Sequence, residues 1–445
     1  MEVWPRMRIL FLTQYYPPET GAAQNRLSDL AMRLSKAGHQ VTVLTALPSY
    51  PTGEIFPGYR GHFFLKNEEE GIRVVRTWVY ATKRKSFLPR VANYVSFAML
   101  SFVVGLLTVD RVEFVVVESP PLFLGFSAFF LSKSKGANLI LNVSDLWPES
   151  AVVLGALRNP VLVRWATWAE GWLYRHARIV TGQTRGIVES IQRRSTKTCH
   201  LITNGVTPEF LEKAANARSA REVLRERYGF GTGFVVAYAG VHGLAQGLQH
   251  LLGTAELLTE QRNIHFCFFG DGPEKSRLLG IVNERGLKNV EFFPPVPAAE
   301  MAEILASVDV SIVPLKRDEL FKGALPSKLF EGMGAGVPIV GALEGEARQV
   351  IEAAQCGICV EPENSAAMAD AILSLYRDPE LRMRLGENGR RYVAKHYNRK
   401  EIAAQFEQIL AEVCGTAKSA SKAPEKSQLT ELPNNDAVFT GQTRE

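Results

Sequence analysis

Lys322-Gly-Ala-Leu-Pro-Ser-Lys-Leu-Phe-Glu331, followed by Gly332-Met-Gly-Ala-Gly-Val-Pro338 and then Glu344-Gly345-Glu346, is the stretch on which the reading of this chain turns. Pro326 suits the first position of a helix, where its missing N–H costs nothing, so a helix is expected to begin there. Gly323, Ala324 and Leu325 leave the preceding backbone bare, and the free N–H groups of the helix start are then expected to face an anion. Lys328 adds positive charge at that end, with Lys322 just ahead of it. Glu331 lies three residues after Lys328 on the same face, within reach of the hydroxyls of a sugar attached to a diphosphate. A nucleoside diphosphate ligand is the expectation; a plain helix-surface carboxylate is the alternative for Glu331.

Outward from this stretch, short apolar runs alternate with helical patterns, the signature of parallel βαβ units. Strands are expected near 8–13, 40–45, 72–77, 112–117, 138–143, 178–181 and 199–202, then again near 234–239, 264–269, 289–292, 308–313, 337–340 and 357–360. Helices are expected in the first half near 22–37, 91–107, 122–134, 161–176 and 184–193. Between Thr203 and Gly233 a charged, Gly-containing stretch reads as a break between the two series. Two doubly wound α/β sheets in tandem follow, each with its ligand crevice at the carboxyl ends of its strands. If those ends face each other, the active site is the cleft between domains.

A chain of 445 residues is too long for one ordinary core, so two domains are the natural expectation. With 46% hydrophobic and 22% charged residues it is globular, and its net charge of +5 leaves no nucleic-acid footprint. Cysteines 199, 267, 356, 359 and 414 form no regular framework, and Cys356 and Cys359 read as core residues, so a reduced, cytoplasmic protein is expected. Residues Met1 to Thr13 do not compose a signal peptide. Val91 to Val109 carries no charge for nineteen residues. It reads either as a buried helix or as one whose exposed side dips into the cytoplasmic leaflet of the inner membrane, aided by Lys83, Arg84, Lys85 and Arg90.

Thr203-Asn-Gly-Val-Thr-Pro-Glu-Phe210, Ala237-Tyr-Ala-Gly240, Phe269-Gly-Asp-Gly-Pro273 and the opening stretch together resemble the retaining sugar-nucleotide glycosyltransferases of family 4, also called group 1, from about Arg8 to about Leu410. Asp145-Leu-Trp-Pro-Glu149 with Leu325-Pro-Ser-Lys328 is similar to the branch that builds bacterial surface polysaccharides, such as lipopolysaccharide and capsule, and includes L-fucosamine transferases. The resemblance implies the GT-B fold, two facing Rossmann-like domains. It implies an acceptor-binding domain over 1–203, a nucleotide-sugar domain over 204–397 and a helix over 398–413 that crosses back to the first domain. A tail over 414–445 is expected to be disordered from its composition.

Within that frame, Gly21 and Ala22 open a helix after the first strand, and the resemblance implies contact with the donor from across the cleft; a plain turn is the alternative. Asp145, at a strand's carboxyl end beside Trp147, is expected to touch acceptor or donor sugar, or else to cap the next helix. In the loop Gly240-Val-His242-Gly243, family members carry an Arg and a Lys for the diphosphate; here His242 stands instead, as a phosphate donor or a surface turn residue. The resemblance places Gly272 and Val296 around the nucleobase and leaves Glu346 to assist Glu331. The first glutamate of the family's paired signature falls on Gly323 and is absent. No metal-ligand spacing is present, so neither metal nor cofactor is expected, and the leaving diphosphate rests on Lys328 and helix dipoles. The expected activity is transfer of a hexosyl or aminohexosyl group from a UDP-sugar to a lipid-linked saccharide. A sugar-nucleotide epimerase and a non-catalytic sugar-nucleotide-binding subunit are the rivals.

Overall fold

Residues 5–84 and 87–415 are described in the computed structural model of this chain, so the tail expected to be disordered lies, from residue 416 onward, outside them. The first sheet comprises β1 (Arg8–Leu12), β2 (Gln40–Ala46), β3 (Phe64–Glu69), β4 (Ile72–Thr77), β5 (Phe114–Ser119), β6 (Asn138–Val143), β7 (Ile179–Gly182) and β8 (Cys199–Leu201). Its strand order is β3-β4-β2-β1-β5-β6-β7-β8. β5 is buried along its whole length, as a continuous Phe-Val-Val-Val run must be when helices cover both faces of a parallel sheet. The second sheet comprises β9 (Phe234–Ala239), β10 (Ile264–Phe269), β11 (Val290–Phe293), β12 (Val310–Pro314), β13 (Ile339–Ala342) and β14 (Gly357–Val360), ordered β11-β10-β9-β12-β13-β14. Strand order reverses between β1 and β5 in one sheet and between β9 and β12 in the other, and crevices open at such points.

Two features depart from the expected elements. β3 pairs antiparallel with β4 through Glu70 and Gly71, both at positive φ as a two-residue primed hairpin turn requires. Its Phe-Leu-Lys-Asn-Glu-Glu sequence has no apolar alternation because it is a mostly exposed edge strand. The supposed break holds two helices, Pro208–Ser219 and Arg221–Arg227, the first started by Thr207 accepting from the Phe210 N–H with Pro208 in the first turn. Arg225 fastens the second of them, bonding Asp309 and the carbonyls of Gly231, Gly233 and Ser307.

The helix Arg399–Val413 packs onto the first domain, burying Phe406, Ile409 and Leu410 among Leu27, Leu30 and Leu34. Where the chain crosses, the two connections clasp: the Val206 N–H donates to the Tyr397 carbonyl (2.9 Å) and the Arg399 N–H to the Val206 carbonyl (2.9 Å).

The helix Phe87–Thr108 is neither wholly buried nor wholly free. Phe97, Ala98, Ser101 and Val104 face the core, while Met99, Val103, Leu106 and Leu107 are exposed, Leu107 at 79%. The exposed apolar face continues through Phe130 on Leu122–Lys135 to Val161, Trp165 and Trp168 on Pro160–His176, linked by the Phe102–Phe130 and Phe123–Trp165 ring contacts. Glu170 is the sole acidic residue of these three helices and is buried, whereas Arg90, Lys133, Arg164 and Arg175 are exposed.

Candidate functional site

The helix of the diagnostic stretch runs Ser327–Gly334, with Pro326 as its extended cap residue rather than its first turn. This directs the side chain of Lys328 back over the end of β9. Its ammonium lies 2.7 Å from the Tyr238 hydroxyl and 4.1 Å from the centre of the same ring. Tyr238 in turn donates to the Val241 carbonyl (2.6 Å), which fixes the phenol beneath the lysine. A Cβ at Gly240 would stand 3.1 Å from the lysine Cε, so the glycine leaves this lane open. Burial lowers the Lys328 ammonium to about 7, opposed by the charge of Glu331. Burial raises the Glu331 carboxyl, opposed by Arg399 and Lys328. A cation and a carboxylate, both half-buried and neither hydrogen-bonded to the other, thus sit side by side at a helix N-terminus.

His242 is a correction. It is fully buried, so it is neither a phosphate donor nor a surface turn residue. The loops after β9 and β10 pack backbone to backbone: the His242 N–H donates to the Asp271 carbonyl, and Cβ atoms at Gly270 or Gly272 would stand 2.1 and 2.4 Å from the carbonyls of Gly240 and His242. The imidazole is thereby turned inward among Tyr238, Phe268 and Phe292. Burial, followed by the charge of Lys275, lowers it to about 4, so it is neutral at pH 7. Neither ring nitrogen has a well-aligned hydrogen-bond partner, although the Phe269 carbonyl is close enough to favour the protonated form.

Glu346 is a second correction. Its carboxylate reaches across to the first domain and accepts from the N–H groups of Arg185 (3.0 Å) and Gly186 (3.1 Å). It therefore caps the helix Arg185–Arg194, whose own cap Thr184 satisfies only the Ile187 N–H and whose first turn holds no acidic residue. Gly323 is not bare either: a Cβ on Gly186 would stand 2.7 Å from its Cα, so glycine on both sides lets the domains touch there. Lys322 turns away to Glu319 (2.6 Å) and Glu344 (3.8 Å). Ala324 and Leu325 pack, half-buried, between this turn and the helix of Lys328.

Asp145 follows β6; burial raises its carboxyl to about 6, opposed by hydrogen bonds from the Ser150 hydroxyl and the Leu146 N–H, and Glu149 adds to the rise. It is thus tied to the first turn of the next helix through Ser150, although the cap position there is Pro148. Trp147 packs on the first core, and Glu149 pairs with Arg194. Gly21 and Ala22 start the helix Ala22–Lys36, Gly243 precedes a short turn at Leu244–Gln246, and Val296 packs half-buried beside Phe269 and Phe293. A cavity of about 230 Å³ lies between the domains, lined by Val153 and Leu154 on one side and Leu244, Lys316, Arg317, Asp318 and Phe321 on the other. Among the described residues no group of three His, Cys, Asp or Glu side chains could hold a metal. Tyr238 was missed from sequence, although an aromatic at the end of a buried strand followed by Gly240 was a visible signal.

Comparison with known proteins agrees with this geometry. The family described as Glycosyl transferase 4-like domain matches residues 21–205, and that described as Glycosyl transferases group 1 matches residues 220–392. The colanic acid biosynthesis glycosyl transferase WcaI of Escherichia coli is 26% identical over 411 residues, covering 90% of this chain and 98% of that protein. An alpha-D-kanosaminyltransferase of Streptomyces kanamyceticus is 26% identical over 65% of this chain and 74% of its own length. Among solved structures, the sucrose-phosphate synthase of Thermosynechococcus elongatus superposes with a TM-score of 0.71 at 17% identity, covering 93% of this chain and 100% of that one. Anabaena Alr3699/HepE in complex with UDP-glucose gives 0.69 at 16% identity, covering 92% and 100%. The chain is a glycosyltransferase of the GT-B fold, with a glycosyl transferase 4-like domain ahead of a group 1 domain.

Proposed function

We propose that the enzyme transfers an aminohexosyl or hexosyl group, an L-fucosamine unit being one candidate, from a UDP-sugar to a hydroxyl of a lipid-linked saccharide in surface-polysaccharide synthesis. The observation that carries this reading is Lys328, held over Tyr238 at a helix N-terminus without a hydrogen-bonded carboxylate among the described residues. A diphosphate placed there meets backbone N–H groups and one aimed ammonium, which stabilise the charge that develops as the glycosidic bond breaks. Glu331 takes the ribose or donor-sugar hydroxyls, and Asp145 faces the sugars from the first domain. Retention and metal independence follow as proposals: the departing diphosphate takes the acceptor proton on the face it leaves, and helix and lysine supply the charge that a cation would otherwise provide.

The acceptor would be reached at the membrane surface. The exposed apolar face of three helices, with Val161 at 72% and Trp168 at 54% exposure, carries exposed basic and no exposed acidic side chains on those helices, which suits an anionic leaflet. The catalytic reading is tested by screening UDP- and GDP-sugars with a lipid-linked acceptor and measuring nucleotide release, the anomeric configuration of the product and the effect of a chelator. Release of UDP only when acceptor is present supports it. Interconversion of donor alone would establish an epimerase, and binding without release would establish a non-catalytic subunit. The membrane reading is tested by sedimentation with phosphatidylglycerol vesicles: Trp165→Ser with Trp168→Ser should leave the protein folded and in the supernatant.

A further inference from the structure

The carboxyl edge of the first sheet carries a second cluster that the donor seat does not use. Tyr15 follows β1 and Tyr50 follows β2, and their rings meet at 5.5 Å with a 57° tilt. Glu19 holds both loops by accepting from the N–H groups of Ser49 (2.8 Å), Tyr50 (2.7 Å) and Tyr16 (3.2 Å), so the ring pair is built in advance. Tyr94, on the helix Phe87–Thr108, stands in hydrogen-bonding reach of the Tyr15 hydroxyl. One turn earlier on the same helix face is Arg90, exposed and without a carboxylate partner among the described residues. Its charge acts on both Tyr15 and Tyr50, while Asp271 of the second domain acts on Tyr50 from the opposite wall. Tyr50, 37% exposed, and the exposed Arg90 leave the cluster open to solvent at the carboxyl edge of the sheet.

Its position gives it a chemistry. Leu88, 75% exposed and two residues before Arg90, begins the apolar face that leads away from the cleft along the helix. Arg90 thus marks the boundary between the lipid-facing surface and the sugar-facing crevice. A guanidinium matches a phosphate or diphosphate with paired donors, and tyrosine rings offer flat faces and hydroxyls to a pyranose. We propose that Arg90 with Tyr15, Tyr50 and Tyr94 forms the acceptor subsite, Arg90 taking the lipid-borne diphosphate and the tyrosines the sugar attached to it. This rests on the lipid-linked acceptor of the proposed function, and it adds a second anion site separate from Lys328.

Farnesyl diphosphate serves as the probe, its binding to the full chain followed by tyrosine fluorescence in saturating UDP. The wild type should bind it with UDP present, and Arg90→Gln should weaken it at least tenfold without altering the binding of farnesol. Lys328→Ala should leave farnesyl diphosphate binding unchanged. Arg90 is exposed, so its variant should melt with the wild type, and unfolding does not confuse the result. Absence of binding to the wild type, displacement by UDP, or equal binding by Arg90→Gln would overturn the subsite. UDP binding measured alone reports on the donor seat, so failure of that reading is seen separately.

Discussion

Replacing Lys328 by Ala isolates the charge on which the proposed donor seat depends. Of the lysines near the cleft, Lys322 is spent on Glu319 and Glu344, and Lys275 donates to the carbonyls of Gly270 (2.9 Å) and Phe293 (3.3 Å). Lys316 lines the interdomain cavity, whereas Lys328 is aimed, from a phenol, across the end of β9 at the helix N-terminus. Removing one donor directed at charge that develops in a transition state costs about 2.7–4 kcal/mol, which is roughly a hundred- to a thousandfold in rate. The helix N–H groups survive the change, so activity should fall into that range rather than vanish. Lys322→Ala, which removes a partly exposed and already paired charge, should cost no more than about threefold. Turnover at saturating donor and acceptor, with and without chelator, measures all three proteins. Thermal unfolding accompanies it: taking away a half-buried ammonium relieves desolvation, so Lys328→Ala should melt no lower than the wild type. A loss below about tenfold, or wild-type activity abolished by chelator, would show that another residue or a metal carries the leaving group.

The same ammonium predicts a pH dependence. In the free enzyme Lys328 discharges near about 7, whereas a bound diphosphate holds its proton, so UDP affinity should be flat below that pH and weaken by up to about tenfold per unit above it. Calorimetry between pH 6 and 8.5 should show proton uptake at the upper end for the wild type and none for Lys328→Ala; a flat wild-type profile contradicts the assignment. Glu346→Ala removes the acceptor for two N–H groups of the opposite domain, a capping loss of about 1 kcal/mol, and should raise the radius of gyration in X-ray scattering. An unchanged radius means the cleft is held by other contacts. Phe406→Ala, emptying a site between the crossing helix and Leu27 and Leu30, should cost about 3–5 kcal/mol in denaturant unfolding, and under 1 kcal/mol would mean the helix is not part of that core.

Most strands were legible because they are buried on both faces and written in near-continuous apolar runs; β5 and β9 show this directly. β3 was not, since an exposed edge strand carries no apolar alternation, and the helix starting at Thr207-Pro208-Glu209 was hidden in a stretch read for its charge rather than its cap. In the site, the placing of Lys328 and Glu331 on one helix was legible from local spacing. What failed was non-local. The direction of His242 is decided by Gly270 and Gly272, which no window around His242 contains. The partners of Glu346 lie 160 and 161 residues earlier in the chain. Spacing along one element reports which residues share a face, and it says nothing about which face another domain will cover.

That distinction explains why the residues around the diagnostic stretch divide into two sets. The turn Glu319–Gly323 feeds the helix of Lys328 and also touches Gly186, while Glu346 holds the N-terminus that begins there. One short segment therefore leads into the proposed donor seat on one side and makes the domain contact on the other. At the opposite end of the cleft, Arg399 bonds the Asn25 carbonyl in the first domain (3.3 Å) and the Asn204 side chain in the connection (3.0 Å), and its charge opposes the rise of the Glu331 carboxyl. Arg399 therefore ties the connection at Asn204, beside the clasp of Val206 and Tyr397, to the first domain at Asn25. Gly186 meets the turn that leads into the helix of Lys328, so the domain contact and that helix start are adjacent. With Lys328 as the proposed donor seat, Gly186→Ala, whose Cβ would press on Gly323, should weaken UDP binding in calorimetry without touching the donor, and an unchanged affinity would show that the domain contact and the seat are independent.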